Sequence, residues 1–102
     1  MASRLKLHDE LCELLGSRNV YFQPPASVMM KYDAIRYSLS DPNIKRANDK
    51  IYQKVNKYEG VVITYDPDST IPDSILYHFQ MCSFEKPYVV DNLNHFPFTL
   101  YY

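Results

Sequence analysis

The sequence has 102 residues, which is the size of one domain with one modest hydrophobic core. Its formal net charge of −1 and its pI near 6.3 disfavour a nucleic-acid binder, because phosphate contacts need a surplus of Lys and Arg. The two cysteines predict no disulfide framework, and the charged residues between positions 3 and 15 exclude a signal peptide. The longest apolar run, residues 61–63, is too short for a membrane helix. We therefore expect assembly in a reducing cytoplasm.

Residues 4–15 have the periodicity of an amphipathic helix. Ser3 can cap its first turn, and Gly16 stands where a left-handed C-cap is needed. Apolar side chains recur at helical spacing along one stripe, and the charged side chains lie beside or opposite it. The stripe consists of Leu7, Leu11, Cys12, Leu14 and Leu15. This pattern predicts a helix that packs against the rest of the fold through the stripe.

Two strand patterns follow the helix. Residues 19–23 (NVYFQ) have β character and are stopped by Pro24 and Pro25, which cannot donate to a ladder. Residues 34–39 (AIRYSL) alternate between the two sides of a strand, which predicts that the strand is half-buried. The stretch between these patterns, residues 27–33, is ambiguous.

Residues 40–50 (SDPNIKRANDK) form a polar and charged connection between two strand patterns. The connection is longer than a hairpin needs, and longer loops in compact domains tend to be functional or mobile. We therefore expect it either to contact a partner protein or to be a passive mobile loop. The side chains proposed for that contact are Asp41, Asn43, Lys45, Arg46, Asp49 and Lys50.

Residues 51–65 contain the longest strand pattern. Its second half alternates cleanly, and the phase of the first half slips at Gly60, which predicts a bulge or bend there. The turn sequence DPDST then ends the strand. Pro72 suits the first turn of a helix, and residues 72–80 place Ile75 and Phe79 on one face, together with Leu76.

The last part of the sequence predicts a hairpin. Residues 88–90 and 95–102 have β character, and the DNLN sequence between them favours a turn. The element order α-β-β-β-α-β-β predicts an α/β (α+β) fold in one domain, residues 1–102, with a single mostly antiparallel sheet and two helices on one face. Residues 95–102 are expected to be a fixed strand of this sheet. The expected core consists of Leu11, Leu15, Ile35, Val61, Ile63, Ile75, Phe79 and Phe98.

Candidate metal sites are weak. His8 and Cys12 lie one helical turn apart, but no third ligand is identified. Asp66 and Asp68 flank a proline without the glycine and the distal glutamate of a calcium loop. The two aspartates are better explained as part of a turn and as acids before a helix N-terminus, where negative charge favours the helix dipole. We therefore expect neither a metal nor a cofactor.

Candidate catalytic groups are also weak. Cys82, His95 and Asp91 would supply a nucleophile, a base and an orienting acid, but no flanking motif supports this grouping. The unusual feature is the ten tyrosines, of which about half suit ordinary sheet positions. The others indicate a surface that meets another protein, because tyrosine is favoured at interfaces. A non-enzymatic interaction protein is therefore preferred.

Five stretches carry a family resemblance when they are taken in chain order: NVYFQPP, AIRYSL, GVVITYDPDS, IPDSILYHF and YVVDNLNHFPFTLYY. With this layout the chain resembles the small tail terminator, or tail completion, proteins of long-tailed bacteriophages. That family includes the head-to-tail joining proteins of phages that infect Gram-positive hosts. The resemblance spans about residues 5–102, none of its motifs is a catalytic signature, and the chain is shorter than many members.

The resemblance implies a non-enzymatic ring, commonly a hexamer, that sits on the last turn of the tail tube. Such a ring stops tube polymerisation and presents the face that docks to the filled head. Its partners would be the tail tube protein and a head connector or neck protein, with no membrane and no recognition of a nucleic-acid sequence. Its place would be the tail–neck junction of the virion, after assembly in the host cytoplasm. A closed ring would also satisfy exposed strand edges.

Two alternatives remain open. Another phage neck or head-completion adaptor would share the design of a small ring-forming α/β protein. A small ribonuclease-type toxin is the alternative from another class, although such toxins usually carry a basic cleft and this chain is acidic. The mass in solution separates these classes, since a ring supports assembly and a monomer that cleaves RNA supports the toxin.

Overall fold

The structure is a computed structural model that describes residues 4–40 and 56–102. In these residues two helices and six strands follow one another along the chain. They are α1 (Arg4–Leu15), β1 (Val20–Phe22), β2 (Ala34–Leu39), β3 (Lys57–Thr64), α2 (Ile71–His78), β4 (Cys82–Phe84), β5 (Tyr88–Val90) and β6 (Leu93–Tyr101). The predicted order of elements is confirmed, and the structure adds the short strand β4 after the second helix.

The six strands form one sheet in the order β1-β2-β3-β6-β4, and β5 also pairs with β6. β1 runs parallel to β2, and the other pairs are antiparallel. β6 is an interior strand, with β3 along one side and β4 and β5 along the other. The predicted α+β fold, one mostly antiparallel sheet with two helices, is therefore confirmed. Most of the predicted strand at residues 95–102 is a fixed part of that sheet.

Both helices contribute to one hydrophobic core on one face of the sheet. The register explains which strand residues reach it: Val62 lies opposite Ile35, and Gly60 lies opposite both Tyr37 and Phe98, so these positions share a face. Among the described residues the buried cluster consists of Leu7, Leu11, Cys12, Val20, Ile35, Tyr37, Tyr58, Val62, Ile75, Phe79, Phe98 and Leu100. We call this side of the sheet the helix side.

The predicted core residues are buried with one exception, Leu15, which is half-buried and packs against the cluster. Val61 and Ile63 are buried as expected, but they do not belong to the core beneath the helices. Strand alternation presents Tyr58 and Val62 to the helix side, so the residues between and after them point the other way. The burial predicted for Val61 and Ile63 is therefore confirmed, on the face of the sheet opposite the helices.

Gly60 does not mark a bulge. β3 pairs without interruption across this position, with β2 on one side and β6 on the other. A Cβ at Gly60 would lie 2.5 Å from Cζ of Phe98, so the Phe98 ring fills the space that a side chain would need. The predicted bulge is wrong, because glycine is required here for close packing rather than for a change of register.

The register changes instead at the outer edge of the sheet. Phe84 lies opposite Phe98, whereas Tyr88 lies opposite His95, so the edge carries one residue more than β6 between these two pairs. An extra residue of this kind is a β-bulge. It lies next to Pro87, which has no N–H to donate to a ladder. β4 and β5 are therefore two parts of one interrupted edge strand.

The helices begin and end close to the predicted positions. α1 has the predicted bounds, and α2 is displaced from the predicted residues 72–80 because it begins at Ile71 and ends at His78. Gly16 closes α1 as predicted, with φ of +85° and its N–H donated to the carbonyl of Cys12 at 2.9 Å. Ser3 lies outside the described residues. Neither of the described helices is long and apolar enough to span a membrane.

The C-terminal hairpin has a shorter turn than the DNLN sequence predicted. Asp91 and Asn92 alone form it, with φ of 54° and 64°, and Val90 pairs with Leu93 across it. Positive φ at both central residues is the signature of a tight two-residue hairpin turn, for which Asp and Asn are favoured. β6 therefore begins at Leu93 rather than at residue 95.

Candidate interaction surface

The connection predicted to contact a partner lies outside the described residues. All six of its proposed side chains fall between positions 41 and 55: Asp41, Asn43, Lys45, Arg46, Asp49 and Lys50. Their role stays a prediction. What residues 4–40 and 56–102 offer is a sheet with one face under helices, one face without a helix and two open edges.

His8 and Cys12 are engaged in packing. Nδ1 of His8 lies 2.9 Å from the hydroxyl of Tyr37, and their ring centroids are 5.8 Å apart. Burial, and then the charge of Arg4, lower the pKa of His8. Cys12 belongs to the helix-side core, where burial raises the pKa of its thiol. In residues 4–40 and 56–102 no group of three or more His, Cys, Asp or Glu side chains is arranged to hold a metal ion.

Asp66 and Asp68 form a turn that leads into α2. The N–H of Asp68 is donated to Oδ1 of Asp66 at 2.9 Å, and the N–H of Ser69 to the Asp66 carbonyl at 3.2 Å. Such a local bond from an Asp side chain stabilises a turn without any ligand. Asp73 then stands in the first turn of α2, where a negative charge favours the helix dipole. The structure agrees with the turn interpretation of these acids.

Cys82 and His95 lie on opposite faces of the sheet. Cys82 is opposite Leu100, a member of the helix-side core, whereas His95 lies five positions earlier on β6 and points to the other face. There His95 stacks on Tyr88 with ring centroids 4.8 Å apart. Burial raises the pKa of the Cys82 thiol. Cys82, His95 and Asp91 are therefore not brought together as a nucleophile, a base and an orienting acid.

The face opposite the helices, which we call the bare face, carries a cleft of about 380 Å³. Its charged side chains are Arg36, Glu59 and Glu85. Nζ of Lys57 lies 4.0 Å from the Glu59 carboxylate, and Oγ1 of Thr99 donates to Glu85 at 3.3 Å. One guanidinium and two carboxylates in one cleft do not favour a polyanion such as RNA.

The two edges of the sheet differ in how their side chains are covered. At the β5 edge Tyr88, Val89 and Val90 are all exposed, Val89 by 65%. At the β1 edge Val20 is buried, and Phe22 is half-buried with the guanidinium of Arg4 4.2 Å from its ring centroid. An exposed apolar edge is a place where a further strand or another chain can pair. β5 is therefore the more conspicuous candidate contact.

Glu10 joins α1 to α2 and to the end of β6. The hydroxyl of Tyr102 donates to its Oε2 at 2.5 Å, and Nε2 of His78 lies 2.8 Å from its Oε1. The hydrogen bond from Tyr102 lowers the pKa of Glu10, with a smaller contribution from His78. Burial, together with the neighbouring Glu10, raises the pKa of Tyr102 to about 12. Two backbone hydrogen bonds of 3.0 Å also join Tyr102 to Asn56.

Sequence reasoning missed this cluster. Glu10 looked like one of several charged residues on the solvent side of an amphipathic helix, and its partners lie 68 and 92 positions away. No local pattern marks such a contact. The only hint was the aromatic ending of the sequence, which indicated a strand but not a hydrogen bond to α1.

The described residues thus define a small α+β domain with a bare sheet face, an apolar outer edge and no clustered metal ligands among them. No protein-family model matches this chain, and no curated protein or solved structure matches it either. The surfaces above and the motifs of the sequence are therefore the grounds for a function.

Proposed function

We propose that the chain is a non-enzymatic assembly protein of a long-tailed bacteriophage. It forms a ring, most simply a hexamer, that caps the tail tube, stops its polymerisation and joins the tail to the head. Its partners are the tail tube protein and a head connector or neck protein, and its place is the tail–neck junction of the virion. The observation that carries this proposal is that the sheet of the described residues is open, with two unpaired edges at opposite ends of the strand order.

The edges support a ring because of their positions. Within residues 4–40 and 56–102, β1 pairs only with β2, and β4 and β5 pair only with β6. Each subunit therefore offers two different strand edges, facing in opposite directions. Contacts between unlike surfaces generate closed rings when the rotation between neighbours permits closure. Ring closure also removes edges that would otherwise invite uncontrolled pairing.

Exposed aromatic and apolar side chains are a second support. Tyr77 on α2 is 84% exposed and Tyr65 after β3 is 64% exposed, in addition to the apolar side chains of β5. Tyrosine is enriched at protein interfaces because its ring contributes apolar area and its hydroxyl tolerates water. A protein that functions only as part of an assembly has a use for such side chains.

The family resemblance is the third support. Its motifs fall on the elements that build the sheet and its helices: AIRYSL is the whole of β2, and IPDSILYH is the whole of α2. The closing motif covers β5, its turn and β6. An adaptor at the head or neck of a phage would be served by the same edges, and it is the second candidate.

The first experiment measures the mass of the purified protein by light scattering across a concentration series, with negative-stain electron microscopy of the particles. A closed ring is expected, and a monomer at every concentration would contradict the proposal. The second experiment polymerises the tube-forming protein encoded in the same genome with and without this chain. Shorter tubes capped at one end are expected of a tail terminator. Unchanged tubes together with binding to purified connector rings would identify the neck adaptor instead.

A further inference from the structure

We infer that neighbouring copies of this chain join head to tail, with the β1 edge of one copy against the β4–β5 edge of the next, and that opposite charges select this pairing. The inference rests on the proposed ring and names its interface. The occupant of each edge is a second copy of the chain. We call the two surfaces the basic edge and the acidic edge, as defined by their charged residues below.

The acidic edge is β4 and β5 with the residues around them. Residues 66–102 contain five acidic side chains and one lysine. The acids are Asp66, Asp68, Asp73, Glu85 and Asp91, and the lysine is Lys86. Glu85 lies between β4 and β5, and Asp91 begins the turn that follows β5. Both are exposed, so this end of the sheet presents negative charge to an approaching molecule.

The basic edge is β1 with the residues around it. The guanidinium of Arg4 stacks on Phe22, and Arg18 stands two residues before β1. The N–H of Lys31 is donated to the hydroxyl of Tyr21, which holds the β1–β2 connection beside the strand. These cations are Arg4, Arg18 and Lys31, with Arg36 on the neighbouring strand. The nearby acids are fewer, namely Asp9, at 3.9 Å from Arg18, Glu13, which lines the same pocket as Arg18, and Asp33.

The backbone of β1 is free to pair on its outer side. The carbonyl of Asn19 and the N–H of Gln23 both bond to β2. Since backbone groups alternate in direction along a strand, Val20 and Phe22 direct their N–H and C=O groups outward. Within the described residues no strand receives them.

β4 offers a matching set of groups. The carbonyl of Met81 and the N–H of Glu85 both bond to β6. By the same alternation, Cys82 and Phe84 direct their N–H and C=O groups outward. Each edge therefore has two outward residues at the same spacing, which is the geometry that a short intermolecular ladder needs. Pro87, with no N–H, stops such a ladder from continuing along β5.

Exposed apolar side chains flank both edges. Tyr77 on α2 and Met81 before β4 are 84% and 51% exposed, and α2 packs beside β4. Leu5 in the first turn of α1 is 66% exposed, and Met29 in the β1–β2 connection is 89% exposed. Among the described residues, each edge thus combines backbone groups that no strand receives, exposed apolar area and an excess of charge, negative at the β4–β5 edge and positive at the β1 edge. Two such edges of opposite charge complement each other, whereas either edge with itself brings like charges together.

The test reverses one edge at a time. The first variant, Arg18→Glu with Lys31→Glu, makes the basic edge acidic while leaving the stacked Arg4 in place. The second, Glu85→Lys with Asp91→Asn, makes the acidic edge basic and keeps a residue that favours the hairpin turn. Neither pair removes a side chain from the core. The matched control is Glu59→Lys with Lys57→Glu on β3, an interior strand of the sheet.

Self-association is measured by sedimentation velocity at low and high salt, after melting curves have established that each variant is folded. The wild type is expected to associate, and less so at high salt, because screening weakens contacts between exposed charges. Each edge variant alone is expected to associate at least about tenfold more weakly, since like charges then meet. The control pair is expected to behave as the wild type.

Mixing the two edge variants is the decisive step. In the mixture the unmodified acidic edge of the first variant meets the unmodified basic edge of the second, and the two reversed edges also match. Association is therefore expected to return in the mixture, and also in one chain that carries all four substitutions. Wild-type association by either variant alone, no recovery on mixing, or a wild type that is monomeric at low salt would overturn the inference.

The proposed function can fail separately. If the wild type forms rings that cap tail tubes while both edge variants also do so, the interface is wrong and the function stands. If the charge pattern holds but the rings bind neither tubes nor connectors, the interface stands and the tail terminator proposal is wrong.

Discussion

The two faces of the sheet are made of alternate residues of the same strands, but in the part of the chain that the structure describes only one of them lies under helices. On β3, Tyr58 and Val62 belong to the core beneath α1 and α2, whereas Glu59 and Val61 line the cleft on the bare face. The difference indicates that one face of the sheet contributes mainly to stability and that the other offers exposed side chains for binding. Substitutions on the helix side should change the free energy of unfolding, as should those of the buried Val61 and Ile63, whereas substitutions of exposed side chains on the bare face and at the edges should mainly change binding.

The largest effect is expected from deleting residues 98–102. The deletion removes the last four of the nine residues of β6, an interior strand, and with them Phe98 and Leu100, which are buried in the helix-side core. It also exposes the apolar surface that these side chains cover, and each Å² of exposed apolar surface lowers the free energy of unfolding by about 25 cal/mol. No folded soluble protein is expected by circular dichroism. A truncated protein that melts at the wild-type temperature would show that the helix side does not depend on β6.

Single truncations on the helix side come next. Leu11→Ala on α1 and Phe79→Ala after α2 should each lower the free energy of unfolding by about 2–5 kcal/mol, because each leaves a cavity in the shared core. Urea unfolding curves measure this loss. Val89→Ala on the exposed edge is the control, with an expected change within about 0.5 kcal/mol. Equal losses in the core and control variants would erase the distinction between the two regions.

A steric clash in the core should lower the free energy of unfolding less than a cavity does. Gly60→Ala places a Cβ against the Phe98 ring, and overpacking a closed core costs about 1–3 kcal/mol. Phe98→Leu removes the ring and should make the added methyl group less costly. In a double-mutant cycle the two substitutions together should therefore cost less than the sum of their separate losses. Additive losses would mean that Gly60 is not kept by contact with Phe98.

These cases separate what the sequence could predict from what it could not. The α1 stripe and the alternation of β2 are local patterns, and both elements have the predicted bounds. Gly60 was misinterpreted because its neighbour in space, Phe98, is distant along the chain. β4 is only three residues long, which is too short for its alternation to distinguish a strand from a loop. The contact between Glu10 and Tyr102 depends on tertiary packing, and so do the charges of the two edges.

A moderate effect is expected at the junction of α1 and β6. Tyr102→Phe removes the hydroxyl that donates to Glu10 and should cost about 1 kcal/mol at neutral pH, because a partly exposed hydrogen bond to a carboxylate is weakened by solvent. Tyr101→Phe, the removal of a neighbouring hydroxyl, is the control. Chemical unfolding of both variants measures the difference.

The pH dependence of this difference has a definite sign. The folded protein holds the pKa of Glu10 below its usual value, so the stabilisation is present at neutral pH and is lost as pH falls through the folded pKa. The pKa of Tyr102 is raised to about 12, so the stabilisation is also lost as pH rises towards that value. A cost for Tyr102→Phe that is constant from acid to alkaline pH would show that the pair does not couple to folding.

The smallest effect on stability is expected in the connection that joins β2 to β3, which includes residues 41–55. Reversal of Lys45 and Arg46 to Glu should leave the melting temperature and ring formation unchanged, because the polar sequence of the connection predicts surface charges, and such charges contribute little to folding. If this connection meets the tail tube, however, the reversal should weaken capping, most visibly at low salt where screening is least. Tube length by electron microscopy, with the variant replacing the normal protein, measures this effect. Reversing Lys57 alone, at the start of β3, is the control for a general change in charge. Tubes of normal and uniform length at every ionic strength would exclude Lys45 and Arg46 from the docking surface.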